Sequence, residues 1–255
     1  MAEMISVNNA TVRFNMSYHK VRSLPAMFSQ LRQRILLKWE PDFFTALDGV
    51  TFAAHAGEII GVLGRNGSGK STLLRTISGI YHPDVGAVKT NGKVSALLQL
   101  GTGFNTYLYG RDNIILGGLT FGLSMDQIRE CIGEIIEFAE VGDFIDVPMR
   151  YYSSGMMSRL SFAIVVAMEP DILLIDETLS VGDLSFQKKS KKAMNRLIER
   201  ASCQLIVSHD TSTIQNICNR AILIEKGRII ADGTPESVLT EYNKLMKIAE
   251  ASSVS

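Results

Sequence analysis

Charge of one sign is missing from this chain: 26 lysines and arginines are matched by 26 aspartates and glutamates over 255 residues. That balance excludes the basic footprint of a nucleic-acid-binding chain, and no nucleic-acid partner is expected. Cysteine is scarce. Cys131, Cys203 and Cys218 are odd in number and widely spaced, which excludes a disulfide framework and a cysteine metal site and points to a reducing compartment. No apolar run is long enough to span a bilayer, and Met1-Ala2-Glu3-Met4 lacks the profile of a signal peptide. If the protein acts on membrane traffic, another chain must supply the path. Internal repeats and low-complexity segments are absent as well. What remains is an ordinary globular composition, 46% apolar and 20% charged, with ample length for a buried core.

Against this plain background one stretch stands out. Gly64-Arg65-Asn66-Gly67-Ser68-Gly69-Lys70-Ser71, followed by Thr72, fits the phosphate-binding pattern G-x-x-x-x-G-K-[ST] at every fixed position. Its context agrees. Ile59-Ile60-Gly61-Val62-Leu63 reads as a buried strand, and a helix is expected to start at Lys70 and run through Ile77. Strand, glycine-rich loop and helix form an anion site, because backbone N–H groups and the helix N-terminus aim at the phosphates. Lys70 is predicted to reach the β- and γ-phosphates, and the Ser71 hydroxyl to ligate Mg²⁺. The pattern predicts a nucleoside triphosphate ligand.

Strand signals recur on both sides of this loop. Ile5 to Phe14 alternates loosely and reads as an edge strand, and Thr45 to Ala54 as a second, with a turn at Asp48-Gly49. Gly86 to Thr90 and Val94 to Leu98 flank an Asn91-Gly92 turn, a hairpin signal. Residues 110–168 are helical by pattern. Further strands are expected at 171–175, 204–207 and 221–225, with a helix from Ser185 to Arg200. Strands alternating with helices imply a mostly parallel sheet covered on both faces. The fold class is therefore α/β with an inserted helical subdomain at about residues 100–168. The domain is expected to occupy residues 1–240, and residues 241–255 a C-terminal tail, frayed from Glu250 onward.

The strand Ile172-Leu173-Leu174-Ile175 ends in Asp176-Glu177, at the edge where open parallel sheets bind ligands. Asp176 is placed to hold Mg²⁺, directly or through water, and Glu177 to polarise the attacking water. His209 follows the strand 204–207 and is placed to reach a γ-phosphate oxygen, although a lone histidine there also fits a structural role.

Taken together over roughly residues 4–235, the loop Gly64–Ser71, Gln99, Tyr152-Ser153-Ser154-Gly155-Met156, Asp176-Glu177, Ser180-Val181-Gly182-Asp183 and His209 resemble the nucleotide-binding domain of ABC transporters. The resemblance implies a P-loop NTPase (RecA-like) core with an antiparallel β subdomain, ATP and Mg²⁺ as ligands, and ATP hydrolysis. It implies that Gln99 senses Mg²⁺ and links the site to a membrane partner, that His209 is a switch histidine, and that Asp183 lies in a loop bridging two protomers. It places Phe14 as the aromatic that stacks on adenine, with Tyr18 as the alternative. Ser153 and Gly155 are the retained residues of the signature, whose usual form is Leu-Ser-Gly-Gly-Gln. As an N-cap, Ser153 would aim a helix terminus at a γ-phosphate. The implied assembly is a head-to-tail homodimer bound to two separate permease subunits.

The altered signature, Leu179-Ser180-Val181-Gly182-Asp183, and a long insert at residues 18–42 resemble exporters of lipid-linked O-antigen, capsule and teichoic acid. In that group the ATPase sits at the cytoplasmic face of the bacterial inner membrane. Some members carry a further C-terminal carbohydrate-binding domain, for which the residues after 240 are too few. Within the insert, Leu24, Met27, Phe28, Leu31, Ile35 and Trp39 form one helical stripe, surrounded by Lys20, Arg22, Arg32, Arg34 and Lys38. Such a helix suits a membrane surface or a permease, or an ordinary amphipathic helix packed on its own domain. A related ATPase without transport, or one serving a drug or lipid cargo, is the alternative function.

Overall fold

The computed structural model describes residues 1–16, 43–97, 104–120, 122–176, 184–208 and 210–253. Its centre is a six-stranded sheet in the order β5-β6-β7-β3-β8-β9. These strands are β3 (Ile59–Leu63), β5 (Val94–Leu97), β6 (Ile172–Ile175), β7 (Cys203–Val207), β8 (Arg220–Glu225) and β9 (Arg228–Gly233). The first five in spatial order run parallel, and β9 returns antiparallel to β8. Strands such as Ile172-Leu173-Leu174-Ile175 are buried at every position, as continuous apolar runs are when both sheet faces are covered. One face packs into a core with Leu73, Leu74 and Ile77 of α1 (Lys70–Ile77). The other packs into a core with Leu197 of α5 (Leu184–Arg200), Ile214 of α6 (Thr211–Ile217) and Val238, Leu239 and Tyr242 of α7 (Pro235–Ser253).

A separate antiparallel sheet has the order β2-β1-β4, from β1 (Glu3–Asn15), β2 (Phe43–His55) and β4 (Val85–Thr90). Here β1 is the central strand, not the edge expected from sequence. Val7, Ala10, Val12 and Leu47 face the shared core, and β1 pairs with β2 and β4 on its two sides. The Asn91-Gly92 turn does not close a hairpin. It carries the chain from β4, paired with β1, to β5, paired with β6 in the other sheet. Asn91 N–H donates to the Met4 carbonyl (2.8 Å) and Lys93 N–H to the Asp171 carboxylate (2.7 Å), anchoring the crossing. Strand β2 runs through Asp48-Gly49, where Gly49 has φ 65°. Arg220 ties the two sheets: its guanidinium donates to the Ala53 carbonyl (2.8 Å), to Glu58 (3.1 Å) and to Asp232 (2.7 Å).

The helical part has its own core. Ile114 of α2 (Gly110–Thr120), Ile128 and Ile135 of α3 (Met125–Ala139), and Leu160 and Ile164 of α4 (Ser154–Val166) meet there with Met149 and Tyr152. Ser124 opens α3 with a capping box closed by Gln127. At the other end of the chain, α7 runs continuously through residue 240 to Ser253, held by buried Val238, Leu239 and Tyr242.

Candidate functional site

The loop at 64–69 joins β3 to α1, and four of its carbonyls, those of Gly64, Arg65, Ser68 and Gly69, accept hydrogen bonds from within the protein. Lys70 is buried, and its Nζ donates to the carbonyls of Gly64 (2.7 Å) and Arg65 (2.9 Å). Gly227 N–H donates to the Ser68 carbonyl (2.8 Å), and Leu73 N–H to the Gly69 carbonyl (2.8 Å). With these four carbonyls engaged, an anion at the loop meets the open N-terminus of α1, whose first turn has no intrahelical acceptors for its donors. Gly69 has φ 113°, and a Cβ there would lie 2.6 Å from the Ala46 carbonyl. The close packing that curls the loop therefore admits only glycine. Ser68 is buried, and its hydroxyl has no hydrogen-bond partner among the described residues.

Ser71 and Asp176 meet at the loop. Ser71 Oγ donates to Asp176 Oδ2 at 3.0 Å, and Asp176 is fixed at the end of β6 by its own N–H, which donates to the Leu97 carbonyl (3.2 Å). A hydroxyl beside a carboxylate is the oxygen donor set that a small divalent cation takes. These residues fit an Mg²⁺-bound polyphosphate: an N–H-lined cradle, a buried ammonium and a hard-cation pair lie side by side.

Ser153 caps α4, its Oγ accepting from Met156 N–H at 3.2 Å, and Gly155 lies in the first turn that follows. Both sit on the helical cluster, not beside the phosphate loop's own sheet core. Phe14, near the end of β1, packs edge-on against Tyr81 with ring centroids 5.3 Å apart, and Arg75 lies over the Tyr81 ring. Its cross-strand partner Phe44 is half exposed and went unnoticed in the sequence, where two aromatics at the start of a strand are an ordinary β signal. Gln99, Glu177, Asp183, His209, Tyr18 and the insert at 18–42 lie outside the described residues. Next to position 209, Asp210 caps α6. Hydrogen bonds from the Thr213 hydroxyl, then from the Ser212 hydroxyl and N–H, hold its carboxyl below the ordinary value of 3.8. The contact of Gly227 with the loop was also missed. Lys226-Gly227 between two apolar runs is a turn signal, but nothing local says what the turn touches.

The family profile described as ABC transporter matches residues 47–180. The chain is 42% identical over 226 residues to the O-antigen export system ATP-binding protein RfbB of Myxococcus xanthus, covering 86% of this chain and 52% of that protein. It is 38% identical over 248 residues to a protein of the same name from Klebsiella pneumoniae, covering 96% of this chain and 100% of the relative. The teichoic acids export ATP-binding protein TagH of Lactococcus lactis is 40% identical over 247 residues, with 95% of this chain and 53% of that protein covered. The chain thus spans about half the length of the Myxococcus and Lactococcus relatives. Among solved structures, an ATP-binding subunit of an ABC transporter superposes with a TM-score of 0.68 at 18% identity, covering 94% of this chain and 93% of the other. A dimeric ATP-binding cassette in a post-hydrolysis state bound to ADP and Pi gives 0.66 at 20% identity, covering 91% and 99%. These structures agree with this chain in fold. Among the described residues, no helix is long and apolar enough to cross a membrane.

Proposed function

This chain belongs to the ABC transporter family, and we propose that it is the ATP-hydrolysing subunit of an exporter for a lipid-linked cell-surface polysaccharide. The observation that carries the nucleotide reading is the engagement of the Gly64, Arg65 and Ser68 carbonyls by Lys70 Nζ and Gly227 N–H, which keeps these oxygens from opposing an anion at the loop. The cargo reading is supported by relatives named for O-antigen and teichoic acid export, one of them matched along its whole length.

In this reading the backbone at 64–72 cradles the phosphates of ATP. Ser71 and Asp176, with Gln99, hold Mg²⁺, which when bound neutralises charge on the phosphates. Lys70 lies at the base of the cradle and supplies a fixed positive charge. Glu177 accepts a proton from the attacking water, and His209 holds the γ-phosphate in place. The products are ADP and phosphate. Phe14, or Tyr18 in its stead, stacks on adenine. Ser153, Gly155 and Asp183 act across a homodimer interface, so that two chains form two sites. Two permease subunits supply the membrane path, and the protein works at the cytoplasmic face of the membrane. The cationic insert at 18–42 serves the membrane surface or the permease.

The test joins biochemistry and cells. The purified protein should bind ATP and release phosphate, and Glu177→Gln should bind ATP while releasing phosphate very slowly. Cells carrying only Glu177→Gln should retain lipid-linked glycan on the cytoplasmic side and lose it from the surface. Unchanged surface glycan with a different retained cargo would overturn the cargo assignment. Near-normal phosphate release would remove Glu177 from its role.

A further inference from the structure

The hairpin turn between β8 and β9 is built against the phosphate loop, and we infer that it is a positioning element of the nucleotide site. Its Gly227 N–H holds the Ser68 carbonyl out of the cradle, and Asp48 with Arg228 holds the turn in place. The inference rests on the reading of residues 64–72 as the ATP site.

Three segments distant in sequence converge here. Lys226 and Gly227 have φ 49° and 78°, two consecutive left-handed residues of the kind that closes a tight hairpin. One side of Gly227 faces the loop, where its N–H reaches the Ser68 carbonyl at 2.8 Å. The other faces β2, where its carbonyl accepts from Asp48 N–H at 2.9 Å. Arg228 then donates through Nε and Nη2 to Asp48 Oδ2 at 2.8 and 2.6 Å. The packing has no slack: a Cβ on Gly227 would lie 2.8 Å from the Ala46 carbonyl, and one on Gly69 would lie 2.6 Å from the same oxygen. Ala46 to Asp48, Ser68 to Gly69 and the turn are thus one layer of contacting backbone.

The consequence is electrostatic. A loop that binds an anion must show it N–H groups, and any carbonyl rotated inward sets a partial negative charge against the phosphate. Lys70 holds back the carbonyls of Gly64 and Arg65 from below. The carbonyl of Ser68, a buried residue of the loop, is held by the turn. The β8–β9 hairpin therefore completes the donor face without touching the ligand, and it does so through β2 of the other sheet.

The readout is the ratio of ATP to AMP affinity by calorimetry. A general loss of stability lowers both affinities, whereas a misplaced Ser68 carbonyl acts on the outer phosphates. Gly227→Ala, strained in φ and crowded against Ala46, should lower the ratio about tenfold, the loss expected when a hydrogen bond beside a charged ligand is misplaced. Asp48→Asn and Arg228→Gln change exposed side chains and leave the fold intact. Each should lower the ratio, by about threefold as suits an exposed ion pair. A through-space field predicts otherwise: removing Asp48's negative charge would strengthen ATP binding and removing Arg228's positive charge would weaken it. If Gly227→Ala does not fold, these two variants decide. Opposite effects, or ratios equal to that of the wild type, overturn the inference. A wild-type protein that binds no ATP would instead overturn the nucleotide site itself, so the two failures are distinct.

Discussion

Lys70 does two things with one ammonium group. It carries charge to the loop, and it binds two of the loop's carbonyls at 2.7 and 2.9 Å. Lys70→Ala therefore should remove the phosphate's nearest cation and also free those carbonyls to turn inward; hydrogen bonds to charged groups contribute roughly 1.5–3 kcal/mol each. ATP affinity by calorimetry should fall at least tenfold and phosphate release should stop. Lys70→Arg should not restore it, because the larger, planar guanidinium does not fit the buried site that holds a compact ammonium. Unchanged ATP affinity in Lys70→Ala would refute the assignment. The cysteines make a second residue-scale case. Burial pushes the Cys203 and Cys218 thiols from 9.0 up to about 12, while Cys131 is half-buried and its thiol is raised less. At pH 8 a thiol reagent should label Cys131 first in the native protein and reach the other two only on unfolding. The linkage has a sign. Because the folded thiols hold their protons more tightly than the unfolded ones, their contribution to stability is complete below pH 9 and lost as pH rises toward 12. Replacing both by alanine should flatten that part of the pH–stability curve, and an unchanged slope would show that other groups set it.

At the scale of elements, the helical part depends on one buried amide. Asn113 of α2 accepts from Asn105 N–H (2.8 Å) and donates to the carbonyls of Asn105 (3.0 Å) and Tyr109 (3.0 Å). That fastens the segment entering α2 to the helix, and the same segment accepts from the Met149 and Arg150 N–H groups through the Leu108 and Thr106 carbonyls at 2.9 and 2.8 Å. Asn113→Leu keeps the volume and removes the partner of the Asn105 N–H and carbonyl, while the Tyr109 carbonyl keeps the backbone N–H of residue 113 (3.0 Å), at about 1–3 kcal/mol for each buried group left unpaired. Denaturant unfolding should show a loss of several kcal/mol, and hydrogen exchange should rise at 105–109 while β3 stays protected. Equal exchange in both segments would mean that Asn113 fastens nothing local. The elements also show where sequence speaks and where it stops. Strands β3, β6 and β7 are legible because burial on both faces demands unbroken apolar runs. The central position of β1 is not legible, since alternation reports which side chains are buried and not how many neighbours a strand has. Asn91-Gly92 reads as a hairpin because its chemistry is local, whereas the choice of pairing partner is made by the two sheets. The phosphate loop is legible because its glycines, lysine and serine fall at fixed spacing in one short stretch, although the packing of Gly64 on Ile224 and of Gly69 on Ala46 is tertiary. The hold of Gly227 on Ser68 is tertiary, and no local pattern records it.

For the molecule as a whole, one chain carries one phosphate loop and one Ser153-capped helix, and these belong to different cores. The loop sits on the sheet core with Leu73 and Leu74, and the capped helix on the cluster with Tyr152, Met156 and Leu160. If the capped helix serves the phosphates bound by a second copy, as the homodimer reading requires, damage to the two motifs should complement in trans. Ser153→Arg places a bulky cation at the helix terminus and should block closure on the partner's nucleotide, while each monomer still binds ATP. Lys70→Ala should disable the loop. Each variant alone gives two damaged sites per dimer. A mixed dimer has one site damaged twice and one intact, so mixing two inactive proteins should restore phosphate release. With equal mixing, about half of the dimers are mixed, and the expected activity is roughly a quarter of the wild type if each site works independently and ATP closes the intact site at its full strength. A Ser153→Arg homodimer with full activity would remove Ser153 from the site. A mixture no more active than its parents would mean either that one intact site cannot turn over alone or that the pairing is not in trans. Single-turnover phosphate release separates these: a lone site that closes but cannot cycle still gives one burst per mixed dimer, and the absence of a burst counts against pairing across the two chains.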